Sequence, residues 1–507
     1  MKHIRLFIFL ILSIIGISAV GQKYDLDLTA RMLQNNGKWK KNSIVKINKF
    51  VHSFQKYEFS SNYSDVFYLL DDQGNRVDIN SKVNDCFDFE LNNIQQLWDA
   101  NIITNVLYNL KKYGFQYDVR HEMENEALDY IYKIKDLGLE FNDPYLETYI
   151  YSLVAKIAPT QLIDGRPGSI NILIQNNPSI NAACYPNGTI VLNTGLLALL
   201  HSEDELVAIL AHEIAHFVLD HSIQNVNEAI ARQKRAEFWA ALATGLTAVA
   251  EGFITANNPY YIPGGATLGM AILASNIASN VIDHLGMNYN HEQEEEADRI
   301  AIQALKILGY DEGALATALT RLVNEYIAER NNAAYLNSYS HPDLLKRISN
   351  AGTCYNLKDK KFEQIISFAV SSVALMKYTD CRFRQCLPYV NQNIENNVAC
   401  ADDYILKANC LLSTQNNEDS NKEVLELINK AKSLNEENIN IYKTEIIATL
   451  RLDNIDKAQD LLQQYIQKLN AYNLSDIQSD ETWDKLRNFI IAEKEWANNM
   501  SIKLRAM

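Results

Sequence analysis

The chain has 507 residues, a formal net charge of −15 at pH 7 and a hydrophobic fraction of 47%. This length predicts two or three domains and permits a large buried core. An acidic chain with no block of basic residues is a poor match for a polyanion, so we expect no nucleic-acid partner.

The N-terminal residues 1–21 have the pattern of a secretory signal peptide. Lys2 and Arg5 precede an apolar run at 6–15, and Ala-Val-Gly at 19–21 suits a cleavage site. The run is too short to span a bilayer, and no cysteine follows it as a bacterial lipid anchor would require. We therefore expect an exported chain, in the periplasm of a Gram-negative bacterium or secreted, and not a lipoprotein.

Residues 22–112 are predicted to form a small β module followed by a helix. Three segments are typical of short strands, at 43–51, 57–60 and 66–70. The Asp-Gln-Gly-Asn sequence at 72–75 is typical of a hairpin turn, and helical spacing returns at 91–112. We find no catalytic motif in this segment.

A His-Glu-x-x-His motif follows in the middle of the chain. It lies in an apolar run that predicts a buried helix, and Ser202 and Glu205 form a capping box just before that run. On a helix, His212 and His216 share one face and can hold a single Zn²⁺. Glu213 beside them can take a proton from water at the metal. A core helix with two incidental histidines is the alternative on these residues alone.

An acidic segment at 291–298 can supply the missing third ligand. Two histidines leave a catalytic zinc site one protein ligand short. Glu294 and Asp298 are four residues apart and share a face of the predicted helix. One can bind the metal, and the other can accept the ring N–H of a ligand histidine. The alternative is a solvated helix start, which is the role that we expect for Glu292, Glu295 and Glu296.

Together these motifs resemble the gluzincin metallopeptidases of peptidase family M48. The likeness joins His-Glu-x-x-His at 212–216 to Glu-x-x-Ala-Asp at 294–298, and it extends over about residues 115–350. The segment at 181–197 is similar to the family's strand before the zinc helix, and His-Pro…Arg at 341–347 is similar to its late segment. Asn-His at 290–291 stands where the family often has Ser-Arg, so the sequence gives no firm prediction of salt bridges around the site.

The resemblance implies a zinc endopeptidase with one Zn²⁺ per chain. His212, His216 and Glu294 would hold the ion, and Glu213 would act as the base. Asp298 would orient a ligand histidine.

Two further predictions concern the substrate side of the site. The resemblance places His341 near the zinc, as an oxyanion stabiliser or as a plug in the fourth metal position. A His-Pro pair at a helix start, away from the metal, is the alternative. The segment Thr189–Asn193, directly before the zinc helix, is expected to be the exposed sheet edge on which an extended peptide pairs.

Two apolar runs lie between the metal motifs, at 238–250 and 252–282. A spanning helix needs ~20 apolar residues, whereas the first run is short and prolines and glycines interrupt the second. We predict helices packed over the cleft. Because some members of the resembled family have membrane helices nearby, contact of residues 236–282 with a membrane and peripheral membrane association stay open.

Residues 360–507 are predicted to be an α-helical repeat domain. Two segments align at a spacing of 38, so that Tyr404 matches Tyr442, and each segment has two predicted helices. The pattern is similar to degenerate tetratricopeptide repeats, whose concave surface binds a protein partner. An ordinary helical bundle is the alternative.

The seven cysteines are an odd number, so at least one stays unpaired or pairs between chains. Four of them lie between residues 381 and 410, where export would permit a disulfide. Because none has the C-x-x-C spacing of a zinc or redox site, we expect structural thiols or one or two disulfides.

The sequence therefore predicts an α+β, mostly helical chain. A zincin-like metallopeptidase core at 113–355 lies between the N-terminal β module at 22–112 and the C-terminal helical repeats at 360–507. The predicted function is an exported zinc-dependent endopeptidase that hydrolyses peptide bonds in cell-envelope proteins, in protein quality control. The alternative is a chaperone-like assembly factor with latent or rare proteolysis, which would not need Glu213.

Overall fold

The computed structural model describes residues 22–56, 63–79, 86–105, 115–162, 169–232, 285, 287–330, 343–353, 358–472 and 481–506. Within these ranges the chain is α+β and mostly helical, which confirms the predicted fold class. The signal-peptide pattern, the two apolar runs between the metal motifs, Cys354 and His341 lie outside the described residues.

The N-terminal module is a five-stranded antiparallel sheet in the order β4-β3-β2-β1-β5. Its strands are β1 Gln22–Met32, β2 Ile44–Lys56, β3 Tyr63–Asp71, β4 Arg76–Asp78 and β5 Phe87–Glu90. The turn between β3 and β4 falls at the predicted 72–75, where the Asp71 carboxylate accepts the backbone N–H groups of Gln73 and Asn75 at 3.0 and 2.7 Å. The predicted β module is confirmed, and the segment at 57–60 lies outside the described residues.

Helix α1 (Ile94–Asn105) joins this module to the middle of the chain, where the Trp98 indole N–H donates to the Ile157 carbonyl at 2.7 Å. The helices that follow are α2 Phe115–Asp136, α3 Pro144–Ile157, α4 Thr194–Leu199, α5 Glu203–Val218, α6 His221–Arg232, α7 His291–Leu308, α8 Ala314–Arg330 and α9 Leu344–Ala351. Among the described helices none alone has the length and apolar content of a membrane span. The pair α5 and α6 meets that measure only jointly, across a bend of 42°.

A three-stranded sheet precedes the zinc helix, with the order β6-β8-β7. Its strands are β6 Asn171–Gln175, β7 Ala182–Cys184 and β8 Thr189–Asn193. The prediction that Thr189–Asn193 is the sheet edge is wrong, because β8 pairs with β6 on one side and β7 on the other. All five β8 residues are buried, as a central strand requires. Within the described residues, β7 is the edge strand on the side of the zinc helix.

The described residues after 358 form further helices. They are α10 Lys360–Ile365, α11 Ser367–Thr379, α12 Phe383–Glu395, α13 Ala401–Thr414, α14 Glu418–Leu434, α15 Asn440–Arg451, α16 Ile455–Ala471 and α17 Glu481–Ala506. From α11 onward each helix packs on the next along the chain. The predicted helical character is confirmed, and the tetratricopeptide assignment stays a prediction.

One apolar core crosses the predicted domain boundaries. It joins residues of the N-terminal sheet and the zinc helix to Phe362, Ile366 and Val370 of the C-terminal helices. Polar contacts cross the same boundary: the Ser372 hydroxyl donates to the Asn176 side chain at 2.7 Å. The first C-terminal helices are therefore part of the packing that supports the middle of the chain.

The six described cysteines are thiols in the structure. Cys386 and Cys410 are both buried, on the neighbouring helices α12 and α13. The thiol of Cys410 hydrogen-bonds that of Cys386, and this bond and burial raise the pKa of Cys386. These cysteines lie far along the chain from the His-Glu-x-x-His motif.

Candidate metal centre

The first turn of α5, the helix that carries the His-Glu-x-x-His motif, anchors this helix in the core. The Ser202 hydroxyl accepts the backbone N–H of Glu205 at 3.3 Å, as the predicted cap requires. The fully buried Glu205 carboxylate accepts the backbone N–H of His201 at 2.9 Å and pairs with Arg321 at 3.1 Å. Burial raises the pKa of Glu205 despite these partners. The helix start is thus fixed by a buried ion pair as well as by its cap.

Three side chains converge between α5 and α7. His212 Nε2 and His216 Nε2 lie 3.0 Å apart, and Glu294 oxygens lie 3.6 and 3.5 Å from them. All three residues are buried, and one ligand atom of each lies within 4.8 Å of the others. Tetrahedral bonds of 2.0–2.1 Å would separate ligand atoms by about 3.3 Å. Two imidazole nitrogens and one carboxylate at this spacing fit a divalent zinc ion.

Glu213 lies next to this group on the side of the edge strand. Its Oε2 accepts the backbone N–H of Cys184, on β7, at 3.0 Å, and the side chain is buried. Burial raises the pKa of the Cys184 thiol, and the nearby Glu213 charge raises it further, so this thiol stays protonated. The arrangement holds the Glu213 carboxylate between the candidate ligands and the sheet edge.

Asp298 and Arg347 form a charged pair behind two of the candidate ligands, His212 and Glu294. Asp298 Oδ1 lies 2.9 Å from His212 Nδ1. Arg347 donates to both Asp298 oxygens, from Nε at 2.8 Å and Nη2 at 2.7 Å, and its Nη1 lies 2.5 Å from Glu294 Oε2. Burial acts to raise the pKa of Asp298, but the hydrogen bond with His212 and the Arg347 charge outweigh it and hold that pKa below its usual range. The sequence analysis noted Arg347 without assigning it these contacts.

Residues 144–353 match the profile of Peptidase family M48. Residues 144–353 are an M48 peptidase domain. Both metal motifs, the three-stranded sheet and Arg347 fall within this M48 domain.

Several known proteins are similar to this chain over a limited stretch. The beta-barrel assembly-enhancing protease of Escherichia coli K12 is 28% identical over 39% of this chain and 36% of its own length. A putative protease of the same name from Vibrio cholerae is 30% identical over 36% of this chain and 34% of its own length. The mitochondrial metalloendopeptidase OMA1 of Arabidopsis thaliana is 37% identical over 12% of each chain. The chain thus spans about a third of the length of the first two relatives.

The other candidate ligand histidine, His216, has a different set of neighbours. His216 Nδ1 lies 2.8 Å from His221 Nδ1, and His221 Nε2 lies 3.3 Å from Glu296 Oε2. The Tyr289 ring stacks on His216 with centroids 3.7 Å apart and planes inclined by 12°. Glu296, expected to be solvated, is therefore half-buried against a histidine, whereas Glu295 is exposed and pairs with Lys346 at 2.6 Å. Neither His221 nor Tyr289 was predicted from the sequence to lie at this site.

A small cavity opens beside His212 and Glu213 in the M48 domain. Its wall is largely apolar, and it is formed by Leu196, Ile209, Leu319, Leu322 and Tyr326, among others. Ala182 of the edge strand also lines it. The cavity is thus adjacent to the candidate base, the candidate ligand and the sheet edge.

Proposed function

We propose that the chain is a zinc-dependent endopeptidase. The observation that carries this proposal is the convergence of His212, His216 and Glu294 at metal-ligand spacing, with Glu213 beside them, inside an M48 domain. Three protein ligands leave a position open for a reactant, which is typical of a catalytic zinc site. When bound there, zinc supplies Lewis-acid activation of water and of a peptide carbonyl.

The protein's own residues have separate roles in this proposal. Glu213 accepts the proton of the attacking water and delivers it to the leaving amine. The N–H of Cys184 holds the Glu213 carboxylate in position for that transfer at 3.0 Å. Asp298 accepts the His212 ring N–H, so that Nε2 of this ring remains available as a ligand. For His341, outside the described residues, the two roles near zinc stay predictions.

We propose that an extended peptide pairs with β7 and not with β8. Ala183 is registered with Val191 of β8, and the Tyr185 N–H donates to the Thr189 carbonyl at 2.9 Å. Since alternate residues of an antiparallel strand turn their backbone groups to opposite sides, Ala182 and Cys184 face away from β8. A peptide paired at Ala182 would lie beside Glu213, and one of its side chains would enter the apolar cavity. This arrangement favours substrates with an apolar residue next to the cleaved bond.

The cellular role is a proposal of wider scope. The signal-peptide pattern at 1–21 supports export, and two relatives carry the name beta-barrel assembly-enhancing protease. We propose that the substrates are cell-envelope proteins and that the helices at 360–507 bind a protein partner. A mainly chaperone-like role in assembly is the second candidate, and the word "assembly" in those names favours keeping it.

Substitution of the base tests the proposal. Glu213→Gln should keep stoichiometric zinc and the fold, and it should lower the cleavage rate of casein by orders of magnitude. Glu295→Gln, an exposed neighbour of the ligand Glu294, is the matched control and should cleave at the wild-type rate. Wild-type cleavage by purified Glu213→Gln would refute the role of Glu213 as the base. No cleavage by the zinc-loaded wild type would refute the enzymatic role and leave the assembly role standing.

A further inference from the structure

The two candidate ligand histidines are supported in different ways. His212 contacts a carboxylate directly, since its Nδ1 lies 2.9 Å from Asp298. His216 instead contacts a second imidazole, that of His221, and a carboxylate follows only after it. Metal-binding histidines usually donate their second ring N–H to a carboxylate, a carbonyl or water. The imidazole of His221, placed between His216 and a carboxylate, requires an explanation. A neutral imidazole can donate at one nitrogen and accept at the other, so it does not by itself fix the direction of a hydrogen bond.

The direction of each hydrogen bond in the series His216–His221–Glu296 follows from its last member, the Glu296 carboxylate. An ionised carboxylate only accepts, so Glu296 requires that His221 donates from Nε2. A neutral imidazole that is protonated at Nε2 has an acceptor at Nδ1. His216 must then donate from its own Nδ1, at 2.8 Å. His216 Nε2 is left unprotonated, and this is the nitrogen that lies 3.0 Å from His212 Nε2.

The residues around this series of hydrogen bonds are themselves held in place. The Gln293 side chain on α7 donates to the His221 carbonyl at 3.4 Å and to the Asn225 side chain at 3.1 Å. Gln293 also closes the capping box of α7 with Asn290. Stacking of Tyr289 fixes the plane of the His216 ring. The start of α6, which carries His221, is therefore tied to the start of α7, which carries Glu296.

We propose that Glu296, acting through His221, sets His216 in the tautomer that presents an unprotonated Nε2 to the metal. Both are positioning residues, since each would act on the metal only through His216. This inference rests on the proposed function in one respect, namely that His216 is a metal ligand. It assigns to Glu296 a role that the adjacent Glu295, paired with Lys346 at the surface, does not have.

The test measures zinc affinity by competition with a chromogenic chelator, without any substrate. His221→Phe keeps a ring but removes the acceptor, and we expect zinc binding to weaken 10- to 100-fold. His221→Asn restores an acceptor oxygen close to the position of Nδ1 and should recover most of the affinity. Glu296→Gln can both donate and accept, so it no longer imposes one tautomer and should weaken binding several-fold. Glu295→Gln should bind zinc as the wild type does.

A second readout reports the tautomer itself. In metal-free protein with ¹⁵N-labelled histidine, the His216 ring should be protonated at Nδ1 in the wild type and in His221→Asn. A substantial population protonated at Nε2 is expected in His221→Phe. If His221→Phe fails to fold, as judged by circular dichroism, the affinity of Glu296→Gln and the tautomer in His221→Asn decide the question.

His216→Ala, measured in the same assay, separates this inference from the proposed function. If His216→Ala binds zinc as tightly as the wild type, the proposed metal site is wrong. If His216→Ala loses zinc while the His221 and Glu296 variants bind it at wild-type affinity with the wild-type tautomer, the metal site stands and the positioning role is refuted.

Discussion

Arg347→Met should strongly destabilise the metal-free protein. The Arg347 side chain is 3% exposed, and its three nitrogens contact Glu294 and Asp298 at 2.5–2.8 Å. Burial acts to lower the pKa of Arg347, but the charges of Glu294 and Asp298 outweigh it and raise that pKa. Methionine fills a similar volume with no charge, so two buried carboxylates would lose their common cation.

The size of the effect follows from the cost of an uncompensated buried charge. Removing one partner of a buried ion pair costs about 3–5 kcal/mol. For a cooperative unit the size of the M48 domain, each kcal/mol lowers Tm by roughly 2–4 °C, so we expect a loss of roughly 6–20 °C. Zinc bound by Glu294 would replace part of the lost positive charge. The loss should therefore be smaller in the zinc-loaded protein than in the metal-free protein.

Thermal unfolding of both forms measures this difference. Lys346→Met is the matched control. Lys346 lies next to Arg347 in the sequence but pairs with the exposed Glu295, so its substitution should not change Tm measurably. Arg347→Lys keeps a charge but cannot make the three-nitrogen contact, so its Tm should fall between those of Arg347→Met and the wild type. A metal-free Arg347→Met as stable as Lys346→Met would refute the reasoning.

Three further outcomes are expected. Glu294→Ala should lose both zinc and cleavage while Glu295→Ala keeps both; equal zinc contents by metal analysis would mean that the wrong carboxylate was assigned. A chain ending at Lys358 loses the core residues that follow it and should unfold at a lower temperature than a chain ending at residue 435. The longer chain should keep zinc and peptide cleavage. Equal melting curves for the two chains would contradict the shared core. Burial raises the pKa of Asp99 from 3.8 to about 7, so the folded state binds this proton more tightly and stability falls as pH rises through that window. Asp99→Asn should match the wild-type Tm at pH 4 and exceed it at pH 8, and a constant difference across that range would rule out this origin.

The local part of the site could be predicted from the sequence. The spacing of His212 and His216 places both on one helix face, and the cap at Ser202 fixes where that helix begins. Glu294 and Asp298 follow the same rule on α7. These inferences use only contacts between residues three or four positions apart, so they need no knowledge of how the helices pack.

What the sequence could not provide depends on packing between distant segments. The Arg347 contacts join two helices about 50 positions apart in the chain, and the contact of His221 with Glu296 joins α6 to α7 across the residues that separate them. The order of strands in the small sheet is equally non-local. Chain proximity to the His-Glu-x-x-His helix suggested β8 as the edge, whereas the apolar Ile-Val-Leu at its centre, residues 190–192, was the better signal in the sequence. A strand whose middle residues are apolar on both faces is typical of the centre of a sheet.

The charges around the candidate metal suggest why Arg347 contacts two carboxylates at once. A divalent ion together with the Glu294 and Asp298 carboxylates would have no net charge, since the two imidazoles of the candidate site are neutral. The Arg347 guanidinium lies within 2.8 Å of both carboxylates, so a zinc ion held there would give the ion, the two carboxylates and Arg347 a single net positive charge. With zinc bound, such a group would polarise a carbonyl more strongly than a neutral one, and Glu213 would remain available to take the proton. Arg347 would then serve catalysis as well as stability. Arg347→Met that is folded and fully loaded with zinc should therefore have a lower kcat than the wild type, whereas a purely structural role predicts an unchanged kcat at temperatures below its Tm.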